Sequence, residues 1–143
     1  MRLVVLPSFE LWSCYELFAS RPGSSQVFTA AHSTWDITSE VKKFANPVER
    51  ARHPTAIEPA IIRKTSAVDG DAAHSLLDSV ARIQVPLMPA NAHVGLDGIT
   101  VEVTFGSFFT ELRLRWWHAP PDGWEAVGRL ADELRGLVLS SAG

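Results

Sequence analysis

Residues 99–105 alternate without a break. Ile99, Val101, Val103 and Phe105 are separated by Thr100, Glu102 and Thr104. Period two over a run of this length marks a strand with one buried face, because successive strand side chains point to opposite sides. Gly106-Ser107 follows and suits a two-residue hairpin turn. The return strand then places Phe108, Thr110, Leu112, Leu114 and Trp116 on one side, and Glu111, Arg113, Arg115 and Trp117 on the other. If Phe105 faces Phe108, Val103 faces Thr110 and Val101 faces Leu112, so both apolar sets share one side. The same register sets Glu102 against Glu111, with Arg113 within diagonal reach. A hairpin of this kind commits the chain to a sheet with one wet face and one face that something apolar must cover.

The expected cover is the last helix. Pro120-Pro121-Asp122-Gly123 breaks the chain, and Asp122 is placed to cap a helix over residues 124–139, with Glu125 three residues on. Trp124, Val127, Leu130, Ala131, Leu134, Leu137 and Val138 form one stripe at helical spacing. The stripe predicts that this helix packs on the apolar side of the hairpin.

Upstream, residues 9–19 fit either a strand or a helical stripe. The turn Arg21-Pro22-Gly23-Ser24, followed by the strand-like run 26–31, favours two strands. A short helix is expected over 39–45, with Val41, Phe44 and Ala45 turned inward. A second starts at Asn46-Pro47 and is stopped by His53-Pro54. Residues 60–67 read as a strand, and Pro59 at its entrance suits an edge or a strand start. Asp71 is a candidate N-cap for a helix carrying Ala73, Leu76, Leu77, Val80 and Ile83, which Pro86 and Pro89 end. Residues 90–98 are expected as a loop. Strand pairs interleaved with helices imply the α+β class: a mostly antiparallel sheet with helices packed on one face.

Length and composition fit one globular domain over residues 1–143, able to bury about 68–70% of its unfolded surface without a disulfide or structural metal. The net charge of −3 and the lack of a Lys/Arg cluster argue against a nucleic-acid partner. No segment approaches the roughly 20 apolar residues needed to span a bilayer, so no membrane association is expected. Glu10 and Glu16 interrupt the N-terminal apolar stretch, against a signal peptide. Cys14, the only cysteine, suits a reducing cytoplasm.

Catalytic signatures are missing: there is no G-x-S-x-G, G-x-G-x-x-G, P-loop or H-E-x-x-H. The histidines at 32, 53, 74, 93 and 118 have no ligand spacing, so neither metal nor cofactor is expected. Cys14 with His32 as base would make a nucleophile; a small buried hydrophobe is the commoner state of a lone cysteine. The most unusual local feature is Trp116-Trp117-His118. Trp116 belongs to the core side, while Trp117 shares the polar side with Glu102, Glu111, Arg113 and Arg115. Tryptophan and arginine are the types most enriched at binding hot spots. The competing reading has the 118–123 loop covering Trp117 and the charges forming a solvated lattice.

Three stretches, Asp97-Gly98-Ile99-Thr100-Val101-Glu102-Val103, Arg115-Trp116-Trp117 and Pro120-Pro121-Asp122-Gly123-Trp124, resemble a pattern in small uncharacterised bacterial α+β proteins, some of them immunity-like. The resemblance covers residues 97–138. The chain departs from it at Leu114, where tyrosine is common, and at Val101, where an aromatic or threonine is common. It implies a bacterial origin and a compact domain, with a toxin-like protein partner in the immunity-like case, and carries no catalytic residues.

The reading that results is a protein-binding module using Trp117, His118, Arg113, Arg115, Glu102 and Glu111. The alternatives are a small-ligand or enzyme site near Trp117 and His118, and a structural or oligomeric subunit. The sequence leaves the oligomeric state open.

Overall fold

The computed structural model describes the chain except residues 9, 22–24, 46, 53–59, 91–94, 96, 108 and 143, and except the side chains at 40, 42–44, 49, 50 and 52. Ten elements follow in order: β1 (Arg2–Pro7), β2 (Ser13–Ser20), β3 (Val27–Trp35), α1 (Ile37–Ala45), α2 (Pro47–Arg52), β4 (Ile61–Val68), α3 (Gly70–Arg82), β5 (Ile99–Gly106), β6 (Glu111–Trp117) and α4 (Glu125–Ser141). The strands form one six-stranded sheet in the order β4-β3-β2-β1-β5-β6, and every neighbouring pair is antiparallel. The fold is α+β, with α3 and α4 packed on the sheet.

The first ambiguous stretch resolves as strand: β2 and β3 pair with Leu17 against Ala30 and Tyr15 against His32. β1 has no clear signature in sequence. Leu3, Val4, Val5 and Leu6 are all apolar, so alternation is missing. β1 nonetheless occupies the sheet interior, between β2 and β5. β4 is an edge strand, as Pro59 implies.

Strand parity puts Leu3, Tyr15, Leu17, Phe28, Ala30, Val103, Leu114 and Trp116 on one side. All are buried, and they meet Val127, Leu130, Leu134 and Val138 of α4 and Ala73 and Leu76 of α3. Each large apolar side chain buried here contributes roughly 1.5–3 kcal/mol. Trp116 and Trp124 meet edge to face, their rings 6.3 Å apart, and Trp124 Nε1 donates to the carbonyl of Pro86 at 2.9 Å.

Several local expectations need correction. The β5–β6 hairpin closes later than a two-residue turn: Gly106 pairs with Glu111, and Ser107 N donates to Thr110 O at 2.8 Å. Val103 therefore faces Leu114 and Glu102 faces Arg115, in place of Thr110 and Glu111. The slip is an even number of residues, so the two faces survive it. Asp69, rather than Asp71, caps α3, its carboxylate accepting from Ala72 N at 3.0 Å. Trp124 is the N-cap residue of α4 in place of Asp122; it makes no side-chain cap bond, while Glu125 accepts from Gly123 N at 3.1 Å. In α1, Val41 and Ala45 are exposed rather than inward. The expected cap Asn46, the stop at His53-Pro54, and Phe108 lie outside the described residues.

α4 also sits elsewhere than expected. It packs chiefly over β1 to β4 rather than over the β5–β6 hairpin. The hairpin's apolar side is left partly open, with Ile99 and Leu112 exposed.

Candidate functional site

The face of the sheet turned away from α3 and α4 carries most of the charge that the strands contribute. Cross-strand pairing builds one row from Arg63, Ser33, Cys14, Val4, Glu102 and Arg115. The next row runs Thr65, Ala31, Glu16, Arg2, Thr104 and Arg113. Strand periodicity, with directly paired residues sharing a side, makes these rows one surface.

Glu102 is its centre. Its carboxylate lies 3.7 Å from Arg2 Nη2, 3.7 Å from Arg113 Nε and 3.6 Å from Arg115 Nε. Arg113 also donates to Glu111 at 2.9 Å. Arg63 approaches Glu16 at 2.7 Å, an ion pair whose angle falls outside hydrogen-bond geometry. Heights differ more than numbers. The Glu102 side chain is 12% exposed, whereas Arg113 and Arg115 are 52% and 61% exposed. The carboxylate is sunk and the guanidiniums rise above it, each with donors left over. Four arginines against three carboxylates leave this face at +1 in a chain of −3.

The same face holds hydrogen-bonding groups that are unsatisfied among the described residues. There, Arg2 Nε, Ser33 Oγ, Trp35 Nε1 and Thr104 Oγ1 are buried with no hydrogen-bond partner. Thr104 lies between Arg2 and Arg113, and Ser33 between Cys14 and Arg63, so long neighbours roof them. Buried polar groups in folded proteins are nearly always paired, which leaves these four to water or to a bound molecule.

Cys14 lies in this surface, half-buried, and desolvation, helped by Glu16, pushes its thiol up to about 11. It is a protonated thiol at neutral pH. His32 pairs with Tyr15 and points to the opposite side, so no Cys–His couple forms.

Of the six residues singled out in sequence, the fold joins Glu102, Glu111, Arg113 and Arg115 on this face. Trp117 stands at its corner beside Thr100 and is half-buried. Gly95 and Gly98 lie against its indole. A Cβ added at either glycine would come within 2.5 or 2.7 Å of the indole. His118 leaves the face altogether. It adopts φ 58°, and its N–H donates to Ile99 O at 2.7 Å. A left-handed histidine costs roughly 1–2 kcal/mol. Its side chain lines a groove on the other side of the sheet.

That groove, of about 430 Å³, lies where α4, packed chiefly over β1 to β4, meets the β5–β6 end of the sheet less closely. Leu3, Val5, Val101 and Trp116 form its floor, and α4 supplies Arg129, Asp132 and Arg135 at its rim. Pro120 closes against α4 where Gly128 has no side chain; a Cβ there would meet Pro120 Cγ at 2.5 Å. Arg2, Glu16 and Arg63 of the open face, and the whole groove, escaped the sequence reading, since each joins segments distant in the chain.

Among the described residues, no group of three or more His, Cys, Asp or Glu side chains is placed to hold a metal, and no helix is long and apolar enough to cross a membrane. His53 and His93 lie outside those residues. Comparison with family models, with curated proteins and with solved structures gave no match to this chain.

Proposed function

We propose that the chain is a protein-binding module whose open sheet face receives an acidic segment of a partner. The observation that carries this reading is the height difference on that face: half-exposed arginines stand over the sunken carboxylate of Glu102. An incoming carboxylate meets free guanidinium donors and can bind them bidentately. The unsatisfied Ser33, Trp35 and Thr104 groups add support, since an interface completes hydrogen bonding that the free chain leaves open. A net +1 on the face is too little to draw a polyphosphate backbone, whose binding grows with the number of phosphates neutralised. Immunity-like neutralisation of a toxin is the narrower form of the reading, and it rests on the sequence resemblance alone.

The test is affinity capture at low salt with the wild type and with the double variant Arg113→Glu/Arg115→Glu, both checked for an unchanged circular dichroism spectrum and melting temperature. A stoichiometric protein held by the wild type, lost by the double variant and released by salt is the expected result. Equal retention by the folded double variant removes the open face from the function. Release by nuclease would replace the acidic segment with a nucleic acid.

A further inference from the structure

We propose that the groove between α4 and the β1–β5–β6 part of the sheet binds a free α-amino acid with a large apolar side chain. The site is independent of the open-face reading, because it lies on the opposite side of the sheet.

Two of the charged side chains at the rim have contacts of their own. Arg135 holds its guanidinium carbon 5.8 Å from the centre of the Tyr15 ring. Glu125 accepts from the backbone N–H of Gly123. Arg129 and Asp132 enter no ion pair and no side-chain hydrogen bond among the described residues. They stand three residues apart on one helix, a spacing that brings Cβ atoms to about 5–6 Å. Arg129 and Asp132 thus stand side by side over an apolar floor as a cation and an anion without partners among the described residues, with Arg135 one turn further along the helix against Tyr15.

A zwitterion with an apolar body matches that arrangement term by term. Its carboxylate meets the Arg129 guanidinium, which offers two parallel donors. Its ammonium donates to the Asp132 carboxylate. Its side chain descends onto Leu3, Val5 and Val101, beside the Trp116 ring. His118, on the facing wall, offers a further hydrogen-bonding group to the carboxylate. A purely apolar ligand would leave both charges facing a dry neighbour, and a fatty acid would satisfy Arg129 alone. The volume of about 430 Å³ falls within the range of small-molecule sites.

The experiment is a titration of the full chain with L-tryptophan, tryptamine, indole-3-propionate and decanoate, followed by amide chemical shifts. Saturable binding of L-tryptophan is expected, with shifts concentrated at Val101, Trp116, His118, Gly128, Arg129 and Asp132. Removing either charge from the ligand should weaken binding by roughly tenfold or more. Arg129→Met should abolish the preference for L-tryptophan over tryptamine, and Asp132→Asn the preference over indole-3-propionate. Both residues are exposed on α4, so these variants fold. No saturation into the millimolar range, shifts centred elsewhere, decanoate binding as tightly as L-tryptophan, or unchanged preferences in the two variants would each overturn the proposal. Arg113→Glu/Arg115→Glu should leave L-tryptophan binding intact, so failure of the open-face reading is recorded separately.

Discussion

The two sides of the sheet use the same six strands and solve opposite problems. The covered side holds its shape by area: Val103, Val127, Leu130, Leu134 and Val138 are almost wholly removed from water. The open side holds its shape by mutual neutralisation, with Glu102 between Arg2, Arg113 and Arg115. Burial of apolar area grows with the area removed from water and is not subject to charge screening, whereas half-exposed ion pairs are individually weak and screened. Stability should therefore reside on one side, and the other should be free to change in the service of recognition. The groove marks where the covered side runs short of helix.

The sharpest way to break this division is to truncate one residue on each side. Leu134→Ala should cost about 2–5 kcal/mol in urea unfolding, because it opens a cavity at a fully buried position of the core. Arg115→Ala should cost no more than about 0.5 kcal/mol. Equal losses would mean that the charge lattice is structural. Next in size is Gly128→Ala. A helix interior gains about 1 kcal/mol from alanine over glycine. Here the new Cβ would press on Pro120 at 2.5 Å, and overpacking of this kind costs roughly 1–3 kcal/mol. Net destabilisation is expected. Gly136→Ala in the same helix meets nothing within 4 Å and should stabilise by about 0.5–1 kcal/mol. A stabilising Gly128→Ala would show that Pro120 does not seal the groove. Glu102→Gln comes close in size. It leaves three arginines without their shared counter-charge, and should cost about 1 kcal/mol at low salt. That loss should shrink as ionic strength rises. A salt-independent loss would assign Glu102 a packing role.

The division was only partly legible in the sequence. Alternation over β5 revealed the two faces, because parity needs no knowledge of the partner strand. The register depends on loop length, and Gly106-Ser107 looked sufficient to turn where the chain continues to Thr110. The slip matters for the site: it brings Arg115 opposite Glu102 and removes an apparent clash with Glu111. β1 gave no periodic signal, since Leu3 and Val5 face the core while Val4 and Leu6 occupy the open side among long neighbours. Missing β1 also meant missing Arg2. The stripe of α4 was readable from spacing, but the strands it covers are fixed by tertiary packing, and the groove follows from that placement. The burial of Trp117 rests on two glycines about twenty residues earlier in the chain, Gly95 and Gly98, whose lack of a Cβ has meaning only once the indole is beside them.

The smallest expected effect tests whether the covered side contains a weak point of its own. His32 stacks on Tyr15 with centroids 4.7 Å apart, lies opposite Lys64, and keeps a buried Nε2 without a hydrogen-bond partner among the described residues. Burial lowers its pKa from the ordinary 6.5, and the positive charges of Lys64 and Arg135 lower it further. In the unfolded chain the imidazole titrates near its ordinary value. Between about 6.5 and the lower folded value, the unfolded state binds more protons than the folded one, so stability must fall as the pH falls. Above that window both states are neutral at this position and the residue contributes no pH dependence. His32→Phe keeps an aromatic ring against Tyr15 and removes the proton. The melting temperature of the wild type should therefore drop more steeply from pH 7 to pH 5 than that of the variant, with the two curves parallel above pH 7. Parallel curves throughout would mean that His32 protonates freely in the folded state. Its position between Tyr15, Lys64 and Arg135 would then be wet, and the covered side would be less closed than its burial implies.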